Sequence, residues 1–363
     1  MKPKVCYILP SYEEGTDTHL FYNYELLRSV SGQLDVFVII EKCSTPSVAH
    51  LGTRHYTQKF KNPILRFLEI FFVIKFARLR GYKDFYSHYS YYGALASWFI
   101  TKILGGRSFY WNRGMPWLFK RSFFEEKIFR FILTHTILVT SPETLAQEYK
   151  KIYGVKEHRI FSNWIDIERY KPAVSKEEAK KSLGLDIAKK YVLFVHHLSQ
   201  RKGADFIAPV AEKFGEDVVF LVAGDGDYMA KLKEEAKSLR GGGVVLLGKV
   251  PQSKVVQYFH ASDVFFMPSR EEGSPHVILE AMAAETPFVA SRVGGVLELV
   301  PPAQEEFICN SEDIDCFYKS IRTFLENKTK YGEARDGIKF WVHRFSKERG
   351  VEEFVNLFTP LEI

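Results

Sequence analysis

Long uncharged apolar runs are missing from this sequence. The longest candidate, residues 64–79, is interrupted by Arg66, Glu69, Lys75 and Arg78, too many charges in too few residues to cross a bilayer. Cysteine is scarce as well. The four residues, at positions 6, 43, 309 and 316, make no C-x-x-C pair, and no apolar h-region precedes Cys6. The expectation is a set of cytosolic thiols on a chain without a secretion signal. No His, Cys and Asp cluster has zinc-ligand spacing, and no G-x-x-x-x-G-K-[ST] loop occurs, so the ordinary zinc and triphosphate-loop classes are excluded. Low-complexity tracts are absent too, and with 46% hydrophobic and 26% charged residues neither extended disorder nor a fibrous architecture fits.

What is present is enough chain, 363 residues, for about two to three domains with cores of their own. Aromatic residues reach 15%, with 31 Phe. The net charge of +6 is unevenly spread: residues 1–150 carry 20 Lys and Arg against 12 Asp and Glu, a balance of +8, which leaves −2 for residues 151–363. Between Arg54 and Lys83 eight basic residues face one acid, Glu69, and are interleaved with Phe67, Phe71, Phe72 and Phe76. That segment has two readings. Pro63 could start and Gly81 end a helix buried against a sheet, or residues 54–83 could dock on an anionic membrane surface. Nucleic acid is not an expected partner, because no recognised module accompanies the basic half.

Short apolar runs alternate with amphipathic stretches at intervals of about 25 residues, the pattern of parallel strands with helical crossovers. Strands are predicted at 4–9, 34–40, 85–86, 109–111 and 137–139, with helices such as 18–29 and 142–150 between them. A second series is predicted at 191–195, 218–223, 244–247, 264–267, 287–290 and 307–309. The segment 163–190 separates the two series. In doubly wound sheets ligands sit beyond the carboxyl ends of the strands.

Three segments at predicted strand ends carry the candidate chemistry. In Pro268-Ser-Arg-Glu-Glu-Gly-Ser-Pro-His-Val-Ile-Leu-Glu280, Ser274 is suited to cap a helix and Pro275 to begin it. The N–H groups of His276 and Val277 would then meet a phosphate or diphosphate. Glu272 and Glu280 flank that anion site, and carboxylates there suit a ligand that also presents sugar hydroxyls; a helix cap and an ordinary surface pair are the plainer alternative. Arg201 and Lys202, in the loop after 191–195, would neutralise a leaving diphosphate or form a solvated turn. His196 and His197 precede them and read as rim residues or catalytic groups. Asp225-Gly-Asp227 has the spacing of a tight strand-to-helix turn, so no metal site is expected there.

Taken together and in order, Phe161-Ser-Asn-Trp-Ile-Asp-Ile-Glu-Arg-Tyr-Lys-Pro172, Arg201-Lys-Gly203, Gly224-Asp-Gly226, Leu247-Gly-Lys-Val250, Glu272 with Glu280 and Ala281-Met-Ala283, and Val293-Gly-Gly295 with Glu298 resemble the family 4 retaining glycosyltransferases (glycosyl transferases group 1) over about residues 160–326. The resemblance implies an α/β GT-B fold, two Rossmann-like doubly wound domains facing a cleft, with boundaries at 1–165 for the acceptor domain, 166–340 for the nucleotide-sugar domain and 341–363 for a C-terminal helix returning to the first. By resemblance, Glu272 meets donor-sugar hydroxyls, Glu280 the ribose, Lys202 the diphosphate, the backbone of Gly273, Ser274, Pro275, His276 and Val277 the phosphates and sugar, and Val250 the base. Gly224 and Gly15 stand where donor phosphate approaches closely.

The chain departs from the family pattern at several positions. His196-His197 replaces the usual Gly-Arg, and Glu14-Gly15-Thr16 the usual double glycine. Phe109-Tyr-Trp-Asn-Arg-Gly114 places Asn112 or Arg113 where an acceptor-side histidine is common, which leaves His19 and His88 as candidate bases. The expected protein is therefore a metal-independent, cofactor-free hexosyltransferase using a UDP- or GDP-sugar and a glycan or lipid-linked acceptor in surface polysaccharide or glycolipid assembly. It would be cytoplasmic, with peripheral contact at the inner membrane face as the second reading. A catalytically silent glycan-binding protein and a sugar-nucleotide epimerase on the same fold are the alternatives.

Overall fold

The computed structural model describes residues 2–13, 20–43 and 53–359. The chain divides into two units, residues 1–162 with 348–363, and residues 163–347. The stretch 341–347, grouped in the sequence reading with the returning C-terminal segment, lies in the second unit.

The first unit is built on seven parallel strands: β1 (Lys4–Leu9), β2 (Asp35–Ile40), β3 (Arg54–Thr57), β4 (Asp84–His88), β5 (Arg107–Trp111), β6 (Ile137–Thr140) and β7 (His158–Ile160). Their order is β3-β2-β1-β4-β5-β6-β7. The two edge strands escaped the sequence reading for a physical reason. β3 reads Arg-His-Tyr-Thr and β7 His-Arg-Ile, none of these residues is buried, and each strand pairs on one side only, so no apolar run marks them. β1 is the opposite case, buried from Val5 to Leu9 between β2 and β4. The helix Lys347–Asn356 returns Phe354 to this unit, against Tyr7, Tyr86 and Phe161 at ring-centroid separations of 6.0, 5.1 and 5.4 Å.

The basic, Phe-rich segment forms the helix Pro63–Leu79, begun by Asn62, whose side chain accepts from the N–H groups of Ile64 and Leu65. Its two sides differ in burial. Ile70, Ile74 and Ala77 are buried against the sheet, while Ile64, Phe72, Phe76 and Leu79 on the other side are exposed.

In the second unit, β8 (Lys190–Val195), β9 (Val218–Ala223), β10 (Gly243–Gly248), β11 (Val264–Met267), β12 (Phe288–Ser291) and β13 (Ile308–Cys309) form a parallel sheet ordered β10-β9-β8-β11-β12-β13. β9 reads Val-Val-Phe-Leu-Val-Ala and is buried throughout, as a central strand covered on both faces must be. Phe220, Phe266 and Phe317 pack together at its core, with Phe317 supplied by the helix Ile314–Glu326. The chain leaves β8 toward β9 on one side and later places β11 on the other. At such a reversal the loops after the two strands diverge and open a crevice at the carboxyl ends.

The expectation of four thiols is corrected at two positions. Cys309, at the end of β13, and Cys316, in the first turn of the helix Ile314–Glu326, are joined in a disulfide. The fold brings their α-carbons to 5.8 Å, a proximity that spacing alone does not reveal.

Candidate active site

The loops that follow β8 and β11, the strands flanking the reversal, bring the candidate residues together. His196 directly follows β8 and Lys202 lies at the end of the same loop. Ser269 and Glu272 follow β11. Glu272 is buried, and both carboxylate oxygens are engaged: Oε2 accepts from Lys202 Nζ at 2.8 Å, and Oε1 from Ser269 Oγ at 2.7 Å, with His196 Nε2 at 3.2 Å. The His197 N–H donates to His196 Nδ1 at 2.8 Å, so the ring proton belongs on Nε2 and points to Glu272.

Burial by itself would hold the Glu272 carboxyl protonated. The hydrogen bond from His196 and the charge of Lys202 outweigh it and draw the group down to about 2, so it is a carboxylate at neutral pH. For Lys202 the balance goes the other way: burial outweighs the attraction of Glu272 and lowers its pKa. Burial also keeps His196 below its ordinary value, despite the hydrogen bond to Glu272. The ammonium of Lys202 donates to Glu272 among the described residues and keeps two further N–H donors for a ligand.

Backbone approach fixes these loops against their neighbours. A Cβ on Gly294 would lie 1.7 Å from the Glu272 carbonyl oxygen, at a φ of +51°, and the Gly295 N–H donates to the Gly273 carbonyl at 2.8 Å. Val293-Gly-Gly295 therefore grips the loop that carries Glu272. A Cβ on Gly224 would likewise meet the His196 carbonyl oxygen at 1.9 Å. Gly294→Ala is expected to destabilise the fold by on the order of 2 kcal/mol and displace Glu272. Thermal unfolding beside Gly184→Ala checks this, since Gly184 also has positive φ (+67°) but open space around it, so a smaller loss is expected there. Equal losses in the two variants would mean that the contact with Glu272 contributes nothing.

Arg270 supports the same loops from outside. Its guanidinium pairs with both oxygens of Asp205 at 2.7 and 2.8 Å and donates to the Gln200 carbonyl and to Glu312, while its N–H donates to the Arg201 carbonyl. The hydrogen bonds it donates to Asp205 raise its pKa further. This arrangement ties the segment after β11 to the loop bearing Arg201 and Lys202.

The helix start differs by one step from expectation. The helix runs His276–Ala283, so Pro275, not Ser274, occupies the capping position, and no side chain caps it. Ser274 is held instead by Asn163, whose Nδ2 donates to its carbonyl at 2.6 Å. The peptide N–H groups of the first turn still head the helix, from His276, four residues beyond Glu272. Glu280, one helical turn farther on, is buried and accepts from Gln252 Nε2 at 2.8 Å. Val250 lies two residues past β10 and is half-buried. Arg201 is exposed, with its side chain outside the Glu272 cluster. Asp225 turns its carboxylate onto the next N–H, at Gly226. Among the described residues no group of three or more His, Cys, Asp or Glu is placed to hold a metal ion.

In the first unit, His88 ends β4 fully buried, stacked on Trp111 at 4.0 Å, with Tyr7 Oη 3.2 Å from Nδ1 and Asn23 Nδ2 3.0 Å from Nε2. Asn112 accepts from Tyr149 Oη and the Gly114 N–H. Arg113 lies between the rings of Trp111 and Phe161, donates to the Phe161 carbonyl, and is drawn down to about 10 by desolvation. Gly15 and His19 lie outside the described residues.

Sequence reasoning missed Ser269, Arg270, Asp205, Gln252 and Asn163, and left His196 open between a rim residue and a catalytic group. Ser269 was the most accessible of these: it sits three residues before Glu272 in a loop between strand and helix, where a hydroxyl readily turns onto a nearby carboxylate.

Two Rossmann-like parallel sheets in one chain define the GT-B architecture. A solved structure with that fold, Anabaena Alr3699/HepE in complex with UDP and glucose, aligns at a TM-score of 0.78 over 98% of this chain and 99% of its own, with 16% identity. Residues 175–341 match the family described as glycosyl transferases group 1. Similar curated proteins include the lipopolysaccharide core biosynthesis mannosyltransferase LpsB of Rhizobium meliloti, 31% identical over 237 residues, which are 62% of this chain and 65% of that protein. A second is the UDP-Gal:alpha-D-GlcNAc-diphosphoundecaprenol alpha-1,3-galactosyltransferase of Escherichia coli, 27% identical over 210 residues, 56% of this chain and 54% of that one. The chain thus spans less than two thirds of the length of either relative.

Proposed function

We propose that the protein is a retaining glycosyltransferase that moves a hexose-type sugar from a UDP- or GDP-sugar to a glycan or lipid-linked acceptor, in cell-surface polysaccharide or glycolipid assembly. The observation that carries this reading is the buried Lys202–Glu272 pair set just before an uncapped helix N-terminus at the strand-order reversal. Lys202, the first-turn N–H groups and the backbone from Gly273 to Val277 bind the diphosphate and stabilise the charge that develops as it leaves. Arg201 adds positive potential at the rim. Glu272 accepts from donor-sugar hydroxyls, Glu280 from the ribose, Gly224 permits close approach of the phosphates and Val250 borders the base. With that charge supplied by the protein, transfer needs no metal and no cofactor.

The names of similar proteins agree in class: one acts with UDP-Gal on a diphosphoundecaprenol-linked acceptor, and another is known with UDP and glucose bound. A lipid-linked acceptor would place this protein at the cytoplasmic face of a membrane. The test is a thermal-shift panel of UDP-, GDP- and ADP-sugars with EDTA present, wild type beside Glu280→Ala. One base class is expected to raise Tm by several degrees, as a ligand at about a hundred times its Kd stabilises by about 2.7 kcal/mol, and the variant to lose the shift. No shift with any donor would favour a silent glycan-binding protein.

A further inference from the structure

The helix Pro63–Leu79 has two apolar sides, and only one of them is used by the fold. Ile70, Ile74 and Ala77 face the sheet, while Ile64, Leu68, Phe72, Phe76 and Leu79, spaced four, four, four and three residues apart, form one stripe on the opposite side and are all exposed. Phe72 is 61% exposed and Leu79 69%. The stripe is not isolated. Phe71 meets Phe99 of the helix Tyr91–Leu104 at 5.6 Å, and Trp98 of that helix meets Phe131 of the helix Phe123–His135 at 4.7 Å. An aromatic seam thus joins three helices, and the second and third add exposed Phe99, Ile103, Phe123 and Phe124. A contiguous apolar surface of this kind marks an interaction site.

Charge identifies the occupant. Lys59, Lys61, Lys75, Arg80, Lys83 and Lys102 are exposed on or beside the first two helices. The one acid on those helices, Glu69, is buried and accepts from Tyr56 Oη at 2.8 Å and from the N–H groups of Lys59 and Phe60. On the third helix Glu125 is used in the capping box with Ser122, and Glu126 pairs with Arg121 and Arg130. A second copy of this chain docked face to face would set cation against cation. A bilayer with anionic headgroups satisfies both components, taking the Phe and Leu side chains below the headgroups while the lysines reach the phosphates. No helix among the described residues is long and apolar enough to cross a membrane, so the contact is lateral.

We propose that the outer face of the helices Pro63–Leu79, Tyr91–Leu104 and Phe123–His135 docks the protein on an anionic phospholipid surface. The proposal deepens the membrane-face reading above and extends it beyond residues 54–83 to the two following helices. It is tested by co-sedimentation with vesicles of phosphatidylcholine alone or with about a third phosphatidylglycerol, at low and high salt. The wild type is expected to pellet with the mixed vesicles, weakly with the neutral ones, and less at high salt. Phe72→Asp/Phe76→Asp and Lys75→Glu/Lys102→Glu are each expected to weaken binding by about tenfold or more while keeping the wild-type circular dichroism and Tm, because all four side chains are exposed. Equal binding to neutral vesicles, no binding, or wild-type binding by both variants would overturn the proposal. So would a wild-type dimer in sedimentation velocity that the Phe72→Asp/Phe76→Asp variant abolishes, since that result assigns the face to a second copy. No sugar donor is present in these assays, so failure of the docking surface and failure of the transferase reading give separate results.

Discussion

Lys202→Met is expected to abolish transfer and also to lower the melting temperature of the second unit by about 10 °C. The second effect follows from what the substitution leaves behind. Glu272 is buried, and removing one partner of a buried ion pair typically costs about 3–5 kcal/mol, because the remaining charge has lost its compensation. For a unit of this size each kcal/mol moves Tm by about 2–4 °C. Folded Glu272 has its pKa held to about 2, against an ordinary value of 4.5, so its contribution to stability is present above about pH 4.5 and is lost as pH falls toward 2. Without Lys202 the folded-state pKa of the carboxyl rises toward the value burial alone would impose, so the part of the acid-dependent loss of stability that Glu272 contributes shrinks. On the proposed function the loss of transfer has a different origin, the missing cation for the leaving diphosphate. Combining Lys202→Met with Glu272→Gln separates the two: the neutral pair should recover most of the stability and none of the transfer, read by calorimetry and by donor turnover. Transfer restored along with stability would make Lys202 a structural residue only.

The parts of the site that were legible in the sequence are those fixed by local chemistry. An apolar run that ends in a loop and is followed by a helical period gives the strand-loop-helix at 264–283, and Glu272 and Lys202 are each placed at a strand end by that reading alone. Their pairing at 2.8 Å is not local, because 70 residues separate them and only the adjacency of β8 and β11 brings the two loops together. His196 was obscured for the same reason. On an apolar strand it looks like a rim residue, and its role depends on which loop faces the end of β8. The helix start was misplaced by one position because Ser-Pro fits a cap followed by a first-turn proline, whereas here Asn163, from a distant segment, holds Ser274 by its carbonyl. The helix Pro63–Leu79 shows the limit of composition in another way. Buried and membrane-facing were framed as rivals, yet a helix apolar nearly all round can bury one side in the fold and leave the other exposed.

Glu272→Gln is the sharper test of the chemistry, because it keeps the shape of the side chain and removes only its charge. Transfer is expected to fall by about a hundredfold to a thousandfold, with the loss in kcat, since a carboxylate that meets the donor sugar matters most as charge shifts between sugar and diphosphate. Binding of UDP or GDP alone should persist, because Lys202, Gly224 and the helix start remain. The variant also makes a prediction about pH that a merely structural role would not make. The attraction of Glu272 is what opposes the effect of burial on Lys202, whose pKa already lies below its ordinary 10.5. Removing that attraction lowers the Lys202 pKa further, so the ammonium is lost at a lower pH and the alkaline limb of the transfer rate moves down with it. Residual turnover measured across pH reads this directly. An intact kcat would remove Glu272 from the reaction and leave it as the counter-ion of Lys202, and an alkaline limb that stays in place would mean that the Lys202 ammonium does not set that limb.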